Sequence, residues 1–262
     1  MKQFYTPAEQ EVLTREYRLA PERLTDQQPY SLTSADLLDQ DFMLDYLERV
    51  NAIYEATTRM ATASLFAKRY NCLTMASSLY AMGAFNKGMN CEISNCHVES
   101  YHQGHAWLPK LRLYDWTATQ PAEGDRERWR DSVIRGIFAG NLTLVYNLMS
   151  KVAPVSKAVL WENTAIYIFW LYESKFEEGL DEPTIARIRD DFDYLVNRAP
   201  GELFGERRNP LTPFNRPKVM TSASEKPLRL RKTCCYYYMA ADDPTDYCPT
   251  CPKINHEVLS SS

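Results

Sequence analysis

Apolar residues recur with helical spacing through most of the first two hundred positions of this chain. The pattern predicts six or so helices, over about residues 6–19, 34–54, 58–85, 128–152 and 159–176, with a last one from Glu182–Pro183. The segment 58–85 is apolar on most sides, which is typical of a helix or helix pair at the centre of a core.

Two stretches depart from helical spacing. Between about residues 91 and 114 the alternation of apolar and polar positions predicts a small antiparallel hairpin that turns near Gln103–Gly104. From Pro200 the chain becomes rich in proline, with a predicted short strand at Leu228–Arg231. The predicted fold is therefore α+β. A mainly helical core spans 1–199, and a proline- and basic-rich segment with a cysteine-rich tail spans 200–262, the two forming one structural unit.

Composition sets limits on the class of protein. With 262 residues, of which 45% are hydrophobic and 24% charged, the chain can bury a full core. Its net charge of -4 argues against a nucleic-acid-binding protein. No apolar run approaches the ~20 residues that span a bilayer, and the first residues lack the apolar region of a signal peptide. We therefore expect a cytoplasmic protein.

Four of the seven cysteines lie close together near the C-terminus: Cys234, Cys235, Cys248 and Cys251. Four thiolates complete a tetrahedral set, and Cys248-x-x-Cys251 is a turn in which both sulfurs can face one centre. Cys234 and Cys235 are adjacent, so an extended backbone would point them in opposite directions. Three interpretations stay open from spacing: a structural zinc site, an iron-sulfur cluster, or a redox or disulfide role. A cluster has two irons and tolerates uneven ligand geometry better than a single zinc does.

The segment Cys91–His105 contains two more cysteines and three of the four histidines, His97, His102 and His105. Their spacing fits no zinc or cluster template, and we predict that Cys72, Cys91 and Cys96 are not ligands. Ordinary packing explains the histidines, and the functional alternative for His97 and His102 is contact with a bound chelate or with released ferrous iron.

Positive charge accumulates just before the cysteines. Between Glu202 and Thr233 there are eight Arg or Lys against three Glu, ending in Arg229, Arg231 and Lys232. One interpretation is a solvated face. The other is functional, since positive charge beside an anionic cluster would raise its potential and attract an anionic partner.

Two motifs resemble a known family. Arg231-Lys232-Thr233-Cys234-Cys235 followed by Cys248-x-x-Cys251 resembles the ferric-siderophore reductase (FhuF-like) family, in which such cysteines hold a 2Fe-2S cluster. The segment Leu160-Trp161-Glu162-Asn163-Thr164, with the aromatic residues that follow it, is similar to that family's L-W-x-N-T segment. Asn163 is then either a buried, hydrogen-bonded amide or a contact to the substrate or the cluster loop.

The resemblance implies an iron-sulfur oxidoreductase that passes one electron to a ferric siderophore of the hydroxamate or citrate-hydroxamate type. It implies Cys234, Cys235, Cys248 and Cys251 as ligands of a 2Fe-2S cluster. No nucleotide-binding motif is present, so we expect an external electron donor such as a ferredoxin, a flavodoxin or a reductase, and transient association with a membrane siderophore importer. The alternatives are a zinc-stabilised interaction protein and a relative of siderophore-biosynthesis enzymes.

Overall fold

The fold is α+β, as the sequence predicts. The computed structural model describes residues 2–24, 29–104, 106–176, 179–222 and 224–257. In these ranges the α-helices are α1 (Pro7–Glu16), α2 (Gln40–Tyr54), α3 (Arg59–Ala84), α4 (Arg126–Ile137), α5 (Thr143–Val152), α6 (Lys157–Ser174) and α7 (Glu182–Asp193). The strands there are β1 (Lys2–Gln3), β2 (Leu19–Ala20), β3 (Leu32–Thr33), β4 (Gly88–Met89), β5 (Cys96–Glu99), β6 (His102–Gln103), β7 (Ala106–Trp107), β8 (Lys110–Leu113), β9 (Ala118–Thr119), β10 (Val219–Thr221) and β11 (Ser224–Leu228).

Local capping fixes where the first helices begin. Thr6 and Glu9 form a capping box at the start of α1. The prediction that α2 begins at Ser34 is wrong, because Ser34–Leu38 forms a 3-10 turn and the helix begins only at Gln40. The carboxylate of Asp39 accepts a hydrogen bond from the backbone N–H of Phe42 at 2.8 Å, which makes Asp39 the cap.

Helices α3 and α6 form the centre of the core. They run side by side in the same direction: Asn163 contacts Ser64 near one end, and the ring of Phe176 stacks on Tyr80 near the other. Both helices bury residues on nearly every side. Their buried polar side chains bond each other, as Asn71 and Thr164 do at 3.1 Å.

The predicted helix over 128–152 is interrupted. α4 and α5 are joined by a π-helical segment at Phe138–Leu142, and a second π-helical segment, Tyr194–Arg198, follows α7. Such segments insert one extra residue per turn and rotate the helix that follows.

The β structure is larger than the sequence predicts. β5 and β8 pair antiparallel, and β6 with β7 forms the turn at Gln103–Gly104, so a hairpin lies between residues 96 and 113. This hairpin is part of a four-stranded sheet in the order β2-β8-β5-β3, in which β2 runs parallel to β8. The start of the predicted first strand is wrong, because Ile93–Asn95 forms a 3-10 turn.

The proline-rich segment after residue 200 packs into the main core. Leu203, Phe204, Leu211 and Phe214 are buried among the helices. The predicted strand at Leu228–Arg231 is wrong, since β11 ends at Leu228. The backbone N–H of Arg231 bonds instead to the carbonyl of Thr250 at 2.9 Å, which takes the chain out of the two-stranded ladder and toward the cysteines.

No helix in the described part of the chain combines the length and the apolar character needed to cross a membrane.

Candidate metal centre

The four C-terminal cysteines meet in space. Cys234, Cys235, Cys248 and Cys251, which we call the cysteine quartet, form two close pairs. The sulfurs of Cys235 and Cys248 are 3.9 Å apart, and those of Cys234 and Cys251 are also 3.9 Å apart. Each of the two adjacent cysteines therefore contacts a different member of the Cys-x-x-Cys turn.

Backbone conformation produces this crossed arrangement. Tyr236, directly after the adjacent cysteines, has φ +62°, a left-handed conformation that turns the chain sharply. Its N–H donates to the sulfur of Cys234 at 3.3 Å. In the other half, the N–H of Cys251 bonds to the carbonyl of Cys248 at 2.9 Å and closes the turn. The turn also meets the segment before Cys234 through the bond between Arg231 and Thr250.

The two distances can be compared with those of a metal site. Two thiolates on one tetrahedral metal, each at about 2.3 Å, lie about 3.8 Å apart. Each close pair of the quartet has the spacing of one such edge. One tetrahedral zinc with four thiolates and a 2Fe-2S cluster with two thiolates on each iron both contain pairs at this spacing. Among the described residues, no group of three or more His, Cys, Asp or Glu side chains is already arranged to hold a metal ion.

A buried carboxylate on α6 holds the segment in front of Cys234. Glu162 is 3% exposed and accepts hydrogen bonds from the backbone N–H of Lys232 at 2.7 Å and of Thr233 at 2.6 Å. The hydroxyl of Thr233 donates to the same carboxylate. Since charge-assisted bonds to backbone N–H groups are the strong kind, Glu162 fixes the path of the chain into the quartet.

The next residue of α6, Asn163, links the same segment to α3. It is fully buried, and its Oδ1 accepts a bond from Nη2 of Arg231 at 2.7 Å. Its amide nitrogen donates to the hydroxyl of Ser64 at 2.9 Å, and that hydroxyl donates to the carbonyl of Cys235 at 2.9 Å. Asn163 is therefore a buried, hydrogen-bonded amide that links Arg231, in the segment before the cysteines, to Ser64 on α3.

The surroundings of Cys235 favour its thiolate. A hydrogen bond from Cys248 lowers the pKa of Cys235, burial opposes this, and the positive charges of Lys68 and Arg231 lower it further. The same hydrogen bond raises the pKa of Cys248. Burial raises the pKa of Cys234. Because metals bind thiolates, a lowered pKa at Cys235 favours the form that can ligate a metal.

The three predicted basic residues have different environments. Arg231 is 5% exposed, and its Nε lies 3.8 Å from the carboxylate of Glu162. Arg229 makes a bidentate bond to Glu173 at 2.8 and 3.1 Å and stacks over Phe169, which neutralises it locally. Lys232 is exposed and forms no ion pair within the described ranges. The basic run is therefore not one continuous patch.

The histidines of the Cys91–His105 segment lie on the four-stranded sheet and its hairpin. His97 is half-buried, and its ring contacts the hydroxyls of Thr33 and Tyr114 at 3.4 Å and the carboxylate of Glu99 at 3.7 Å. Burial lowers the pKa of His97. His102 is exposed and its ring faces Tyr30. The structure does not bring either ring to the quartet, and His105 lies outside the described residues.

The other three cysteines lie outside the C-terminal segment, with Cys72 on α3, Cys96 at the start of β5 and Cys91 in the connection before it. Cys91 and Cys96 are fully buried near Asn141, whose amide donates to the Cys91 carbonyl at 2.7 Å. A hydrogen bond with Cys91, together with burial, raises the pKa of Cys96. Cys72 lies on α3 at the edge of a pocket and is half-buried, where burial raises its pKa to about 11.

Four residues near the quartet were not predicted from the sequence: Ser64, Lys68, Glu162 and His256. Glu162 could have been identified from the sequence, because a carboxylate in an otherwise apolar, buried helix requires hydrogen-bonding partners. Ser64 and Lys68 share one face of α3, but no local pattern shows that this face meets residues 170 positions away. The Nε2–H of His256 donates to the Cys251 carbonyl at 2.8 Å, within a tail without helical or strand periodicity.

No protein-family model matches the chain, and no curated protein matches it.

Proposed function

We propose that this chain is a cytoplasmic iron-sulfur oxidoreductase that reduces ferric siderophores and so releases ferrous iron. The observation that carries the proposal is the division of the quartet into two thiol pairs at 3.9 Å, Cys235 with Cys248 and Cys234 with Cys251. The cysteine and L-W-x-N-T motifs support the choice of substrate, because both resemble the ferric-siderophore reductase family.

Cys234, Cys235, Cys248 and Cys251 would hold a 2Fe-2S cluster, with one pair on each iron. When bound, such a cluster supplies single electrons. Glu162, Asn163 and Ser64 keep the loop in place through bonds to its backbone and to Arg231. Arg231 and Lys68 place positive charge near the sulfurs, which favours the more negative, reduced state.

The reaction needs one electron for each ferric ion. Ferric iron in the chelate is reduced to ferrous iron, and the oxidised protein takes its next electron from an external one-electron donor such as a ferredoxin or a flavodoxin. Hydroxamate and citrate-type chelates hold ferrous iron far more weakly than ferric iron, so the single electron is sufficient for release. A chelate delivered by a membrane importer would meet the enzyme at the cytoplasmic side.

The first test is the cofactor. Protein purified without oxygen should be red-brown, contain two iron atoms and two sulfides per chain, and lose its visible absorption on addition of dithionite. A colourless protein with one zinc per chain would refute the cluster and support the zinc-stabilised interaction protein.

The second test is the reaction. Reduced protein mixed with a ferric hydroxamate or citrate-hydroxamate complex should regain its oxidised spectrum, while a ferrous-specific colorimetric chelator traps one ferrous ion per electron. Reoxidation that does not depend on the ferric chelate would refute the reductase activity and leave the cofactor assignment standing.

A further inference from the structure

A pocket lies beside the quartet, between the end of α1 and the central helices α3 and α6. Its volume is about 230 Å³, and its walls include Arg18, Arg69, Cys72, Tyr167 and Trp170. We call it the arginine pocket. It is smaller than the ~300–1,000 Å³ of a typical small-molecule site, so it can receive one limb of a larger ligand rather than the whole.

The pocket and the quartet border the same two helices. On α3, Ser64 bonds to the Cys235 carbonyl, and Cys72 follows eight residues later, about 12 Å along the axis. On α6, Asn163 bonds to Ser64, and Tyr167 follows one turn later. The pocket therefore lies about two helical turns along α3 from the contact with Cys235.

Tyr167 lies between the two places. Burial raises the pKa of Tyr167 to about 12; ionisation of Cys72 in the pocket or of Cys235 in the quartet would act in the same direction, and the charges of Arg69 and Arg18 oppose it. Tyr167 thus lies near both the pocket and Cys235.

Arg18 and Arg69 bring positive charge to the pocket. Neither Arg18 nor Arg69 forms an ion pair with a carboxylate of the described residues, whereas Arg126, Arg130, Arg229 and Arg231 all have one. Glu16 also borders the pocket, but its carboxylate is 3.0 Å from Arg15. Half-buried guanidinium groups without a counter-charge are suited to a carboxylate ligand, because they offer paired donors.

We propose that the arginine pocket binds the free carboxylate limb of an anionic ferric chelate, so that carboxylate-bearing citrate-hydroxamate chelates are preferred over neutral trihydroxamates. This assignment rests on the proposed function. The two guanidinium groups hold the carboxylate, and Tyr17, Tyr167 and Trp170 contact the apolar carbons. The rest of the chelate, with the ferric centre, lies outside the pocket. Trp170, which is 37% exposed, marks the open side.

Binding can be separated from reduction by using gallium(III) chelates, because gallium(III) has the charge of ferric iron and is not reduced by such a cofactor. The probes are the gallium complexes of a citrate-centred dihydroxamate, which is anionic, and of a trihydroxamate, which is neutral. Dissociation constants are measured by calorimetry on the intact protein at low and high salt. The variants are Arg18→Gln/Arg69→Gln and the control Arg49→Gln/Arg59→Gln, which removes two exposed charges that lie outside the pocket.

We expect the pocket variant to bind the anionic complex about tenfold more weakly or worse at low salt, with a smaller difference at high salt. The control variant should bind it as the parent does, and the neutral complex should not distinguish the variants. Equal affinity of parent and pocket variant for the anionic complex, or a parent that does not bind it, overturns the assignment. Failure of the ferric complexes to reoxidise the reduced parent would instead refute the proposed function, whatever the gallium data show.

Discussion

Arg231 and Asn163 meet in the protein interior, where Nη2 of the arginine donates to Oδ1 of the asparagine at 2.7 Å. One belongs to the segment that leads into the cysteines and the other to the central helix α6, so this bond joins the two motifs that resemble the reductase family. Glu162, the neighbour of Asn163, holds the same segment by its backbone. The motif on α6 therefore acts as the support of the cysteine loop.

The pairing within the quartet predicts which cysteine variants should resemble each other. If the quartet holds the proposed 2Fe-2S cluster, exchange of Cys235 or Cys248 for Ser would change the ligands of one iron, and exchange of Cys234 or Cys251 would change those of the other. We expect members of one pair to show the same change in visible and electron paramagnetic resonance spectra, and the two pairs to differ.

Cys96→Ser is the matched control for these variants, because Cys96 is fully buried on strand β5 and does not belong to the quartet. Its iron content and spectrum should equal those of the parent. Bleaching in Cys96→Ser, or a spectrum shared by Cys234→Ser and Cys235→Ser but not by Cys251→Ser, would contradict the ligand assignment.

Glu162→Gln should destabilise the protein and weaken cofactor retention. The carboxylate of Glu162 accepts hydrogen bonds from the backbone N–H groups of Lys232 and Thr233. In the variant, the amide NH2 group would face one of these donors and could not accept its hydrogen bond. Arg231 would also lose its nearest carboxylate. We expect the free energy of unfolding to fall by about 2–4 kcal/mol, measured by urea denaturation without oxygen.

Glu202→Gln provides the comparison, since Glu202 is exposed and lies 3.7 Å from the exposed Arg135. Its free energy of unfolding should change by less than about 1 kcal/mol. If the Glu162 variant is as stable as the Glu202 variant, the carboxylate does not support the loop.

Lys68 and Lys232 should affect the reduction potential differently. Lys68 acts on Cys235 from α3 and is half-buried, so Lys68→Gln should lower the potential at every ionic strength. Lys232 is exposed, so Lys232→Gln should act mainly on the rate with anionic partners, and only at low salt.

The reduction potentials of the parent and of both variants are measured by potentiometric titration at low and at high salt. For a one-electron centre, about 59 mV corresponds to a tenfold change in the equilibrium constant, so shifts of tens of millivolts are measurable. Equal potentials in parent and Lys68→Gln would show that this lysine does not tune the centre.

Glu173 should make the stability of the segment before the cysteines depend on pH. Burial alone would raise its pKa, but hydrogen bonds from Arg229 and Lys218 hold the pKa of Glu173 below its usual value. Because the folded-state pKa is lowered, the stabilisation is complete above the unfolded value of about 4.3 and is lost as pH falls through the folded value.

The measurement is the difference in free energy of unfolding between the parent and Glu173→Gln as a function of pH. Any destabilisation caused by loss of cofactor in acid affects both proteins and cancels in this difference. We expect about 1–2 kcal/mol in favour of the parent at pH 7 and a steady decrease below about pH 5. Glu48→Gln, on the exposed face of α2, should show no such trend. If the stability advantage of the parent instead grew as pH fell, the pKa of Glu173 would be raised in the folded state, which would contradict the prediction.

The sequence was sufficient for the helices because their apolar spacing is local information. The start of α2 could not be located in this way. Ser34 and Asp39 are both residue types that cap helices, and only the packing of the 3-10 turn Ser34–Leu38 decides that the helix is capped by Asp39. β2 and β3 are two residues each, too short for any periodic signal, and they exist because they pair with the predicted hairpin.

The four cysteines could be identified from the sequence, but their environment could not. Lys68 and Ser64 reach the quartet through the packing of α3 against the C-terminal segment, a contact between residues distant in the chain. Arg229 and Arg231 have different partners, which the sequence does not show. Arg229 bonds to Glu173 on α6, whereas Arg231 bonds to Asn163 on the same helix.

The bonds that shape the cysteine loop come from Glu162, Asn163 and Ser64, and none of them uses a cysteine sulfur. All four sulfurs are therefore left available as ligands while the backbone around them is held by other groups. If the proposed cluster is present, we expect its loss to leave this part of the chain folded, so that reinsertion of iron and sulfide would restore the protein without refolding.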